Sequence, residues 1–449
     1  MTALVSVGAG TDEATRAGFR TLHDQGLDRT VMLAEVRGGH HHGALTPSGG
    51  ATIARAIALA VDVGVPFVLV VDSSGAEIRD GVAGLHAWGT VAKSLARASG
   101  AIPTIVGVTG ACVSGPALLL GIADAVIMTD DAFAYVTGPE AVGEFTGVPT
   151  DRARLGGAGI HDFRSGVATF VVSDEPAMLD ALALLLTYLP DQALLDPPRL
   201  MPEVIEDPLD RRCEVAATIV PERPTAAFDV RDVLDDVLDA GSVCEVRARF
   251  APNVVTAFGR LAGRAVGVVA NQPNQRAGTL DIEASRKAAR FVAWCDAFNL
   301  PILTFVDTPG FEPGKDLEWR GMIRHGAELV HAYCQASVPR LCVIMRKSFG
   351  GAYIVMDSRG IANDVCLAWP TAEIAVMGAP GAVQILGSKG VTEDDYTEAF
   401  LNPYRAAERG FVDAVIDPAD TRAVLGRALE QMWTKRDPAI PRKHSNSPQ

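Results

Sequence analysis

The chain has 449 residues, 48% of them hydrophobic, which predicts two or three domains that each bury a full core. It carries 40 lysines and arginines against 54 aspartates and glutamates, and this net charge of -14 argues against nucleic-acid binding and requires a local basic pocket for any anionic substrate. The seven cysteines form no C-x-x-C pair, and no basic leader or apolar run of about 18 residues occurs, so we predict a cytoplasmic protein without a zinc ribbon or membrane span.

The first half alternates apolar runs with helical patterns, which is typical of an α/β sheet of parallel strands. Residues 1–30 are polar and weakly patterned, and they predict a helix or a poorly ordered arm. Strands are predicted at 31–36, 65–71, 103–108 and 125–128. Helices are predicted at 48–63, 85–99 and 116–122, with a further helix beginning near 137.

Two loops of the first half invite specific hypotheses. Three adjacent histidines at 40–42 suggest a metal site, but neighbouring loop residues point in different directions, so we favour a solvated or substrate-facing loop. The glycine-rich loop at 155–161 lacks the G-K-[ST] ending of a phosphate-binding loop. We therefore predict neither a metal site nor an ATP site.

A proline-rich, charged segment at 189–227 is the predicted linker between two domains. Beyond it, strands are predicted at 246–258, 264–270 and 341–345, and the segment 368–377 is predicted to help complete the fold. Helices are predicted at 282–298, 317–333 and 423–433.

The second half repeats features of the first half. The segment GVPFVLVVDSSG at 64–75 matches NLPILTFVDTPG at 299–310, which lies 235 residues later. The segment GVTGACVSG at 107–115 matches VIMRKSFGG at 343–351, which lies 236 residues later. The register therefore slips by one residue, and a repeat of this length indicates duplicated domains.

In each copy an apolar strand is followed by small residues and a helix. The first N–H groups of a helix have no acceptor within it, and glycines let a carbonyl approach closely, which is how an oxyanion hole is built. Moving an acyl or carboxyl unit between two carbonyl compounds needs two such holes. No G-x-S-x-G or H-E-x-x-H motif occurs, so we expect a substrate or cofactor to provide the base.

Several segments between 229 and 444 resemble the carboxyltransferase (β) subunit of biotin-dependent acyl-CoA carboxylases, of the propionyl-CoA carboxylase β type in the crotonase superfamily. They are FAPNVVTAFGRLAGRAVGVVANQP, AGTLDIEASRKAARFV, CDAFNLPILTFVDTPGFEPG, RKSFGGAYIVM, AWPTAEIAVMGAPGAV and NPYRAAERGFVDAVI. The first half resembles the same family through GVPFVLVVDSSGA, GVTGACVSG, VTGPEAV and LGGAGIHDFRSGVA.

The resemblance implies an α/β fold of two tandem crotonase-like β-β-α superhelix domains related by internal duplication. It implies an acyl-acceptor domain at 1–220 and a carboxybiotin domain at 221–449. The amides of Gly351 and Ala352 would donate hydrogen bonds to the ureido carbonyl of carboxybiotin, and those of Ser114 and Gly115 would donate to the enolate oxygen of an acyl-CoA thioester. The expected substrate-binding residues are Gly75, Ala76, Gly278, Thr279, Tyr353 and Ile354.

The resemblance also implies that carboxybiotin releases CO2 and that its freed nitrogen removes the α-proton, so that no side chain acts as base. Biotin would be carried by a biotin carboxylase or carrier partner, since the chain has no Met-Lys-Met attachment site. Copies of the chain would form a dimer-based homo-oligomer, expected to be a hexamer, with each active site between two subunits. The alternatives are a biotin-independent decarboxylase of a malonyl-type thioester and a non-catalytic scaffold.

Three positions depart from the family pattern. Ser114 replaces the first glycine of the acyl-side pair, and Glu77 replaces the arginine of the family's D-S-G-G-A-R. Ile354 stands where propionyl-type members have aspartate. Because one methylene in an apolar pocket changes selectivity by only about 1–3 kcal/mol, we expect an altered or broadened choice of acyl group.

Overall fold

The fold is that of a computed structural model, which describes residues 14–448 except 25, 40, 201–206, 224, 387–389, 439 and 447. The chain forms two compact units, Met1–Pro197 and Pro198–Gln449, which we call unit 1 and unit 2. The division lies within the proline-rich segment predicted as the linker. The boundary predicted at 220/221 lies further along the same segment, beyond a short helix at 214–218 that contacts the unit 2 helix at 230–237.

Unit 1 is built on a seven-stranded sheet in the order β1-β2-β3-β4-β5-β7, with β6 paired to β4. The β1 and β2 strands are antiparallel, and the other pairs are parallel. The strands are β1 Thr15–Asp24, β2 Leu27–Val36, β3 Phe67–Ser73, β4 Thr104–Val113, β5 Ala125–Thr129, β6 Phe133–Tyr135 and β7 Phe170–Val172.

The helices of unit 1 pack their apolar faces on this sheet. Ile53 and Ile57 of the first helix and Val91 of the second lie in one buried cluster with Phe67 and Val106 of the central strands. Removing such side chains from water is the main source of stability for the unit. The helices are α1 Pro47–Val63, α2 Val82–Ala98, α3 Leu119–Ile122, α4 Pro139–Thr146, α5 Arg152–Gly156, α6 Ala158–Ile160 and α7 Glu175–Tyr188.

Unit 2 is built on an eight-stranded sheet in the order β15-β13-β12-β11-β10-β9-β8, with β14 paired to β12. The β8, β9 and β10 strands pair antiparallel, and the remaining pairs are parallel. The strands are β8 Cys244–Glu245, β9 Val254–Leu261, β10 Arg264–Asn271, β11 Ile302–Thr308, β12 Arg340–Phe349, β13 Val365–Ala368, β14 Glu373–Ala375 and β15 Ala414–Val415.

Helices cover the sheet of unit 2 as they do in unit 1. One buried cluster joins Val233 and Leu234 with Leu425 and with the strand residues Leu303 and Val343. The helices are α8 Glu214–Thr218, α9 Val230–Val237, α10 Ile282–Ala297, α11 Lys315–Trp319, α12 Met322–Gln335, α13 Gly350–Val355, α14 Ala379–Leu386, α15 Glu393–Phe400, α16 Pro403–Glu408 and α17 Thr421–Met432. No helix in the described part of the chain is both long and apolar enough to span a membrane.

The two units share one topology. Strands β1–β7 correspond in order and pairing to β9–β15, and each central strand pair has a register shift near its C-terminal end, between Val71 and Ser73 in unit 1 and between Val306 and Thr308 in unit 2. Isolated bridges also recur, Leu45 with Ala76 and Leu280 with Phe311. The predicted α/β class with two sheet-containing halves is confirmed, and the shared topology supports the duplication.

The first strand is the main element that the sequence did not reveal. Residues 15–24 pair antiparallel with 27–36 as an edge strand, where a helix or a poorly ordered arm was predicted; residues 1–13 lie outside the described part of the chain. Polar residues such as Arg16 occupy exposed positions of this strand. Because the strand is partly exposed, its residues do not show the regular alternation of apolar and polar side chains that would indicate a strand.

Two predicted elements of unit 2 are interrupted in the structure. The predicted strand 246–258 begins only at Val254, because Arg247 and Ala251 have positive φ angles of 52° and 43° and form turns. The predicted helix 317–333 is divided at Gly321, whose φ is 94°. The segment 368–377, whose element type was not predicted, joins β13 to β14 through a turn from Trp369 to Ala372.

Candidate active site

The two units carry the same strand-to-helix turn at the same place in their sheets. We call residues 113–117 the first turn and residues 349–353 the second turn; they follow β4 and β12, respectively. Ser114 has a φ of 63° and Gly350 a φ of 60° at matching positions. The duplicated sequence therefore produces a duplicated backbone conformation.

Ser114 holds a conformation that side chains disfavour. Its ψ is -138°, so with its positive φ it lies in a region populated almost entirely by glycine. Strained residues of this kind cost about 1–3 kcal/mol and cluster at functional sites. The side chain is exposed, so the strain is not offset by burial of an apolar group.

The two turns differ in which backbone N–H groups are available to donate to a bound oxygen. In the first turn the Ser114 N–H donates to the carbonyl of Tyr135 at 2.9 Å, which ties the turn to β6. In the second turn Gly351 and Ala352 are the second and third residues of α13, and their N–H groups have no carbonyl one helical turn earlier. Both amides of the pair predicted for unit 2 therefore lie at a helix start.

The same backbone contact anchors the strand before each turn. Asp72 accepts a hydrogen bond from the Ala111 N–H at 2.9 Å, and Asp307 accepts one from the Lys347 N–H at 3.1 Å. Asp307 also binds the guanidinium of Arg346, with its Oδ2 atom 2.8 Å and 3.0 Å from two nitrogens of that group. Both partners are buried, so this ion pair is shielded from water.

Glu77 follows the first unit's strand β3 and is held by a neighbouring arginine. Its carboxylate accepts hydrogen bonds from the Arg79 side chain at 2.7 Å and 2.9 Å and from the Arg79 N–H at 3.1 Å. These bonds lower the pKa of Glu77 from 4.5 to about 2. Arg79 also lies 2.5 Å from Nδ1 of His41.

His41 and His42 belong to the histidine run considered as a metal site. Both lie in a short 3-10 turn and are exposed, while His40 lies outside the described residues. Within the described part of the chain, no group of three histidine, cysteine, aspartate or glutamate side chains is placed to hold a metal ion.

A cavity of about 490 Å³ opens beside the second turn. It brings together three of the predicted site residues, Gly351, Tyr353 and Ile354. Burial raises the pKa of the Tyr353 hydroxyl above its ordinary value, so this group stays neutral at physiological pH. The residues lining the cavity are Gly350, Gly351, Tyr353, Ile354, Ile374, Ala375, Val376, Tyr396, Ala399, Phe400, Arg405, Ala406, Arg409 and Phe411.

The remaining predicted residues lie in two places. Gly75 approaches the first turn, since a Cβ atom added to it would lie 3.5 Å from Cβ of Ser114. Ala76, its neighbour, bridges to Leu45. Gly278 and Thr279 lie in the loop before α10 and do not line the cavity of the second turn.

Much of the cavity wall comes from residues that motif reasoning did not assign to the site. Tyr396 and Phe400 come from α15, Arg405 comes from α16, and Arg409 and Phe411 follow it. The sequence signal that could have identified these residues is the segment NPYRAAERGFVDAVI, which carries part of the family resemblance. Arg405 donates a hydrogen bond to the Glu408 carboxylate at 2.9 Å, so the charge of this arginine at the cavity is balanced by a neighbour.

Comparisons with known proteins identify the family of this chain. The carboxyl transferase domain family matches residues 29–447. The chain is 44% identical over 444 residues to the propionyl-CoA carboxylase carboxyltransferase subunit of Haloferax mediterranei, covering 96% of this chain and 86% of that protein. It is 40% identical over 411 residues to methylmalonyl-CoA decarboxylase subunit alpha of Veillonella parvula, covering 90% of this chain and 80% of that protein.

Among solved structures, the chain is similar to transcarboxylase 12S with hydrolysed methylmalonyl-coenzyme A bound. The TM-score is 0.92 at 38% identity, over 97% of this chain and 84% of that chain. The family match and these relatives extend through both units, which confirms the resemblance inferred from the sequence. The chain therefore belongs to the carboxyl transferase family, as a carboxyltransferase of the type found in biotin-dependent acyl-CoA carboxylases.

Proposed function

We propose that this chain moves a carboxyl group between N1-carboxybiotin and the α-carbon of an acyl-CoA thioester. The observation that carries the proposal is the pair of turns with matching backbone conformation, one in each unit. Such a transfer develops negative charge on two oxygens, one on each reactant, and each oxygen needs hydrogen-bond donors. One turn for each reactant meets that requirement.

The second turn has the chemistry that biotin requires. Its cavity combines apolar walls, which include Ile374 and Phe400, with the glycine-rich backbone of the turn at one end. Biotin pairs an apolar ring system with a polar ureido group, so the ring would contact the walls and Gly351 and Ala352 would hold the ureido oxygen. Carboxybiotin, when bound, supplies the carboxyl group and a nitrogen that accepts the α-proton.

The residues around this cavity position reactants rather than transfer protons. The side chains that line it include no carboxylate and no histidine, and the neutral Tyr353 has a raised pKa. Carboxylates and histidines are the side chains that most often act as general bases, and the described lining of the cavity contains neither. This supports a mechanism in which placed amides stabilise charge while the reactants exchange the proton.

The first turn would hold the thioester. Gly115 offers an amide there, and Gly75 lies beside the turn, where it and the adjoining Ala76 would contact the acyl group. Glu77 stands where the family has arginine, but Arg79 neutralises it through two side-chain hydrogen bonds. An anionic CoA ester would therefore meet no unpaired negative charge at this position.

We also propose the partners that the reaction requires. Biotin would arrive on a partner subunit, and copies of the chain would assemble as a homo-oligomer in the cytoplasm. The transcarboxylase 12S structure is described as a hexamer assembly. Because this chain is similar to that protein, the description supports the expectation that copies of this chain form a homo-oligomer. No role for a metal ion or for nucleic acid is included in the proposal.

The test uses the reverse reaction with the 449-residue chain. Methylmalonyl-CoA or malonyl-CoA is incubated with the purified protein and free biotin, and loss of the carboxyl group is followed. Biotin-dependent loss is the expected result. Loss at the same rate without biotin would identify a decarboxylase instead, and no turnover with either ester would overturn carboxyl transfer on CoA thioesters.

A further inference from the structure

A buried ion pair connects the two elements that flank the second turn. Asp357 lies two residues after α13, and its Oδ1 atom accepts a hydrogen bond from Nη1 of Arg340 at 2.6 Å. The exposed fractions of the two side chains are 0% and 3%, respectively. Arg340 is the first residue of β12, so the pair joins the beginning of the strand that enters the turn to the segment that leaves the helix after it.

Further hydrogen bonds hold the C-terminal end of α13 at the same place. The carbonyl of Met356 accepts a hydrogen bond from Sγ of Cys342 on β12 at 3.7 Å. The carbonyl of Ile354, a residue that lines the cavity, accepts one from the hydroxyl of Ser358 at 3.1 Å. Because Asp357 lies between Met356 and Ser358, the ion pair is the charged member of a set of contacts that fixes the end of α13 to the sheet.

Asp357 also has an unfavourable backbone conformation. Its φ is 56°, in the left-handed region, and its carbonyl accepts a hydrogen bond from Nδ2 of Asn363 at 2.6 Å. The fold therefore places a carboxylate at a position that is both strained and removed from water. Strained residues of this kind cluster at functional sites. We therefore searched for a role of Asp357 in the adjoining turn.

The surroundings of Asp357 influence its charge. Its Oδ2 atom lies 3.5 Å from the hydroxyl of Thr304 on β11. Burial raises the pKa of Asp357 from 3.8 to about 6, and the charge of Asp364 acts in the same direction, whereas Arg340 acts in the opposite one. The titratable and charged groups that face Asp357 are Arg340 and Cys342 of β12, Tyr333 of α12, and Asp364 in the segment before β13.

Asp357 can therefore gain a proton while the chain stays folded. Between pH 3.8 and about 6 the folded chain binds more protons at this residue than the unfolded chain does. A fall in pH through this window consequently does not weaken the fold through Asp357. Protonation replaces a charge-assisted hydrogen bond to Arg340 by a weaker one, so loss of the ion pair can be separated from unfolding.

We propose that Asp357 is a positioning residue for carboxyl transfer, whose charged pair with Arg340 holds α13, and with it the second turn and the cavity residues Tyr353 and Ile354, in the arrangement that binds carboxybiotin. The proposal rests on the proposed function, because it needs carboxybiotin at the second turn. Asp357 is fully buried and is not among the described residues that line the cavity, so it acts through α13. Displacement of a reacting group by about 1 Å can lower a rate about 100-fold.

The chain provides a matched control for this role. Asp239 also forms a buried ion pair, with its Oδ1 atom 2.8 Å from Nη2 of Arg422. The guanidinium of Arg422 donates to the carbonyls of Asp207 and Val237, and neither residue belongs to α13 or to the cavity. Replacing either Asp239 or Asp357 by asparagine keeps the size of the side chain and removes one buried charge. Only Asp357→Asn changes the pair that holds α13.

Kinetics of the biotin-dependent reaction give the first readout. At about pH 7.5 we expect Asp357→Asn to lower kcat about tenfold and Asp239→Asn to leave it within about twofold. The KM for methylmalonyl-CoA should change less than about twofold in both, because the thioester is proposed to bind at the first turn. As the pH falls through about 6, the kcat of the unaltered chain should approach that of Asp357→Asn.

Two kinetic results would overturn the proposal. One is a ratio of the two kcat values that stays constant between about pH 7.5 and about pH 5, since the charge of Asp357 would then have no part in the effect. The other is an equal loss of kcat in Asp239→Asn, which would show a general consequence of losing a buried charge.

Hydrogen exchange of the unaltered 449-residue chain gives a readout that needs neither turnover nor a variant. Mass spectrometry follows peptides that cover residues 350–356, with rates corrected for the direct effect of pH on amide exchange. Protection of this segment should fall about tenfold between about pH 7 and about pH 5, whereas α10 should keep its protection. Unchanged protection of the segment would overturn the proposal. A fall in protection in a chain without biotin-dependent turnover would reject carboxyl transfer and support the hold of Asp357 on α13.

Discussion

The two turns share a backbone but differ in what surrounds it. The second turn follows a buried ion pair, has glycine at its positive φ position and opens on an apolar cavity. The first turn has Gly110 in place of Arg346, a strained serine at the positive φ position and a proline where the second has an amide. Duplication has preserved the conformation that positions an oxyanion while the supporting side chains have diverged.

This difference indicates that the two reactants require different surroundings at their turns. The proposed biotin side must accept one invariant ring system, and its turn is fully built from backbone amides and a rigid ion pair. The proposed acyl side must accept the variable reactant, and there Ser114 and Glu77 depart from the family pattern, whereas the departure at Ile354 lies in the cavity of the second turn. We therefore expect substitutions in the second turn to be the more damaging ones.

The largest effect is predicted for Arg346→Ala. This change leaves the buried Asp307 carboxylate without its cation, and breaking such a pair from one side costs about 3–5 kcal/mol in the free energy of unfolding. Asp72→Asn in unit 1 disturbs only the hydrogen bond from Ala111 and should cost about 1 kcal/mol.

Urea denaturation of each variant measures these losses. The double variant with Arg346→Met and Asp307→Asn is the control, because it removes both charges and should recover most of the stability that the single change loses. Equal losses for Arg346→Ala and Asp72→Asn would show that the ion pair does not distinguish the turns.

The next largest effect is predicted for the activity of Ala352→Pro, a substitution that makes the second turn resemble the first. Ala352→Pro removes one amide from the proposed biotin-side hole, and loss of one such donor lowers kcat about 100- to 1,000-fold. The backbone should accept the change because Pro116 already occupies the matching position in unit 1. Biotin-dependent decarboxylation of methylmalonyl-CoA measures it, with Ala352→Gly as a control that keeps the N–H; equal activity of the two variants would remove Ala352 from the site.

A smaller effect is predicted for Ser114→Gly, which gives the first turn the residue found in the second. Glycine adopts the backbone angles of Ser114 without a clash, so the free energy of unfolding should rise by about 1 kcal/mol after the entropic cost of glycine is included. Ser114→Ala keeps the strain and should leave stability unchanged. Chemical denaturation compares them, and a gain for alanine as large as that for glycine would refute the strain.

The turns were predictable because their determinants are local. An apolar strand run followed by glycine and serine is visible in the sequence, and its recurrence 235 and 236 residues later identified both copies and the duplicated fold. The central strands and the long helix α10 were predicted for the same reason, since periodicity along one segment is sufficient to indicate them.

The surroundings of the turns depend on tertiary packing and could not be predicted in this way. Trp88 reaches Gly115 only because α2 packs beside the turn, and no spacing in the sequence indicates that contact. Phe400 and Arg409 reach the cavity from segments far along the chain. Glu77 looked like a reversal of charge, but Arg79 two residues later neutralises it.

The smallest predicted effect is a pH dependence that belongs to unit 1. Hydrogen bonds from Arg79 lower the pKa of Glu77 from 4.5 to about 2, so between these values the unfolded chain binds more protons than the folded chain at this residue. The stabilisation is therefore complete above pH 4.5 and is lost as the pH falls toward about 2.

Urea midpoints at about pH 5 and about pH 3 test this window. The unaltered chain should lose more stability between the two pH values than Glu77→Gln, which has no carboxylate to titrate. Arg79→Gln removes the cause of the lowered pKa and should weaken the pH dependence to the same extent as Glu77→Gln. If Arg79→Gln instead kept the full dependence of the unaltered chain, the charge of Glu77 would be balanced by another group, and the first turn would face a different electrostatic environment from the one described.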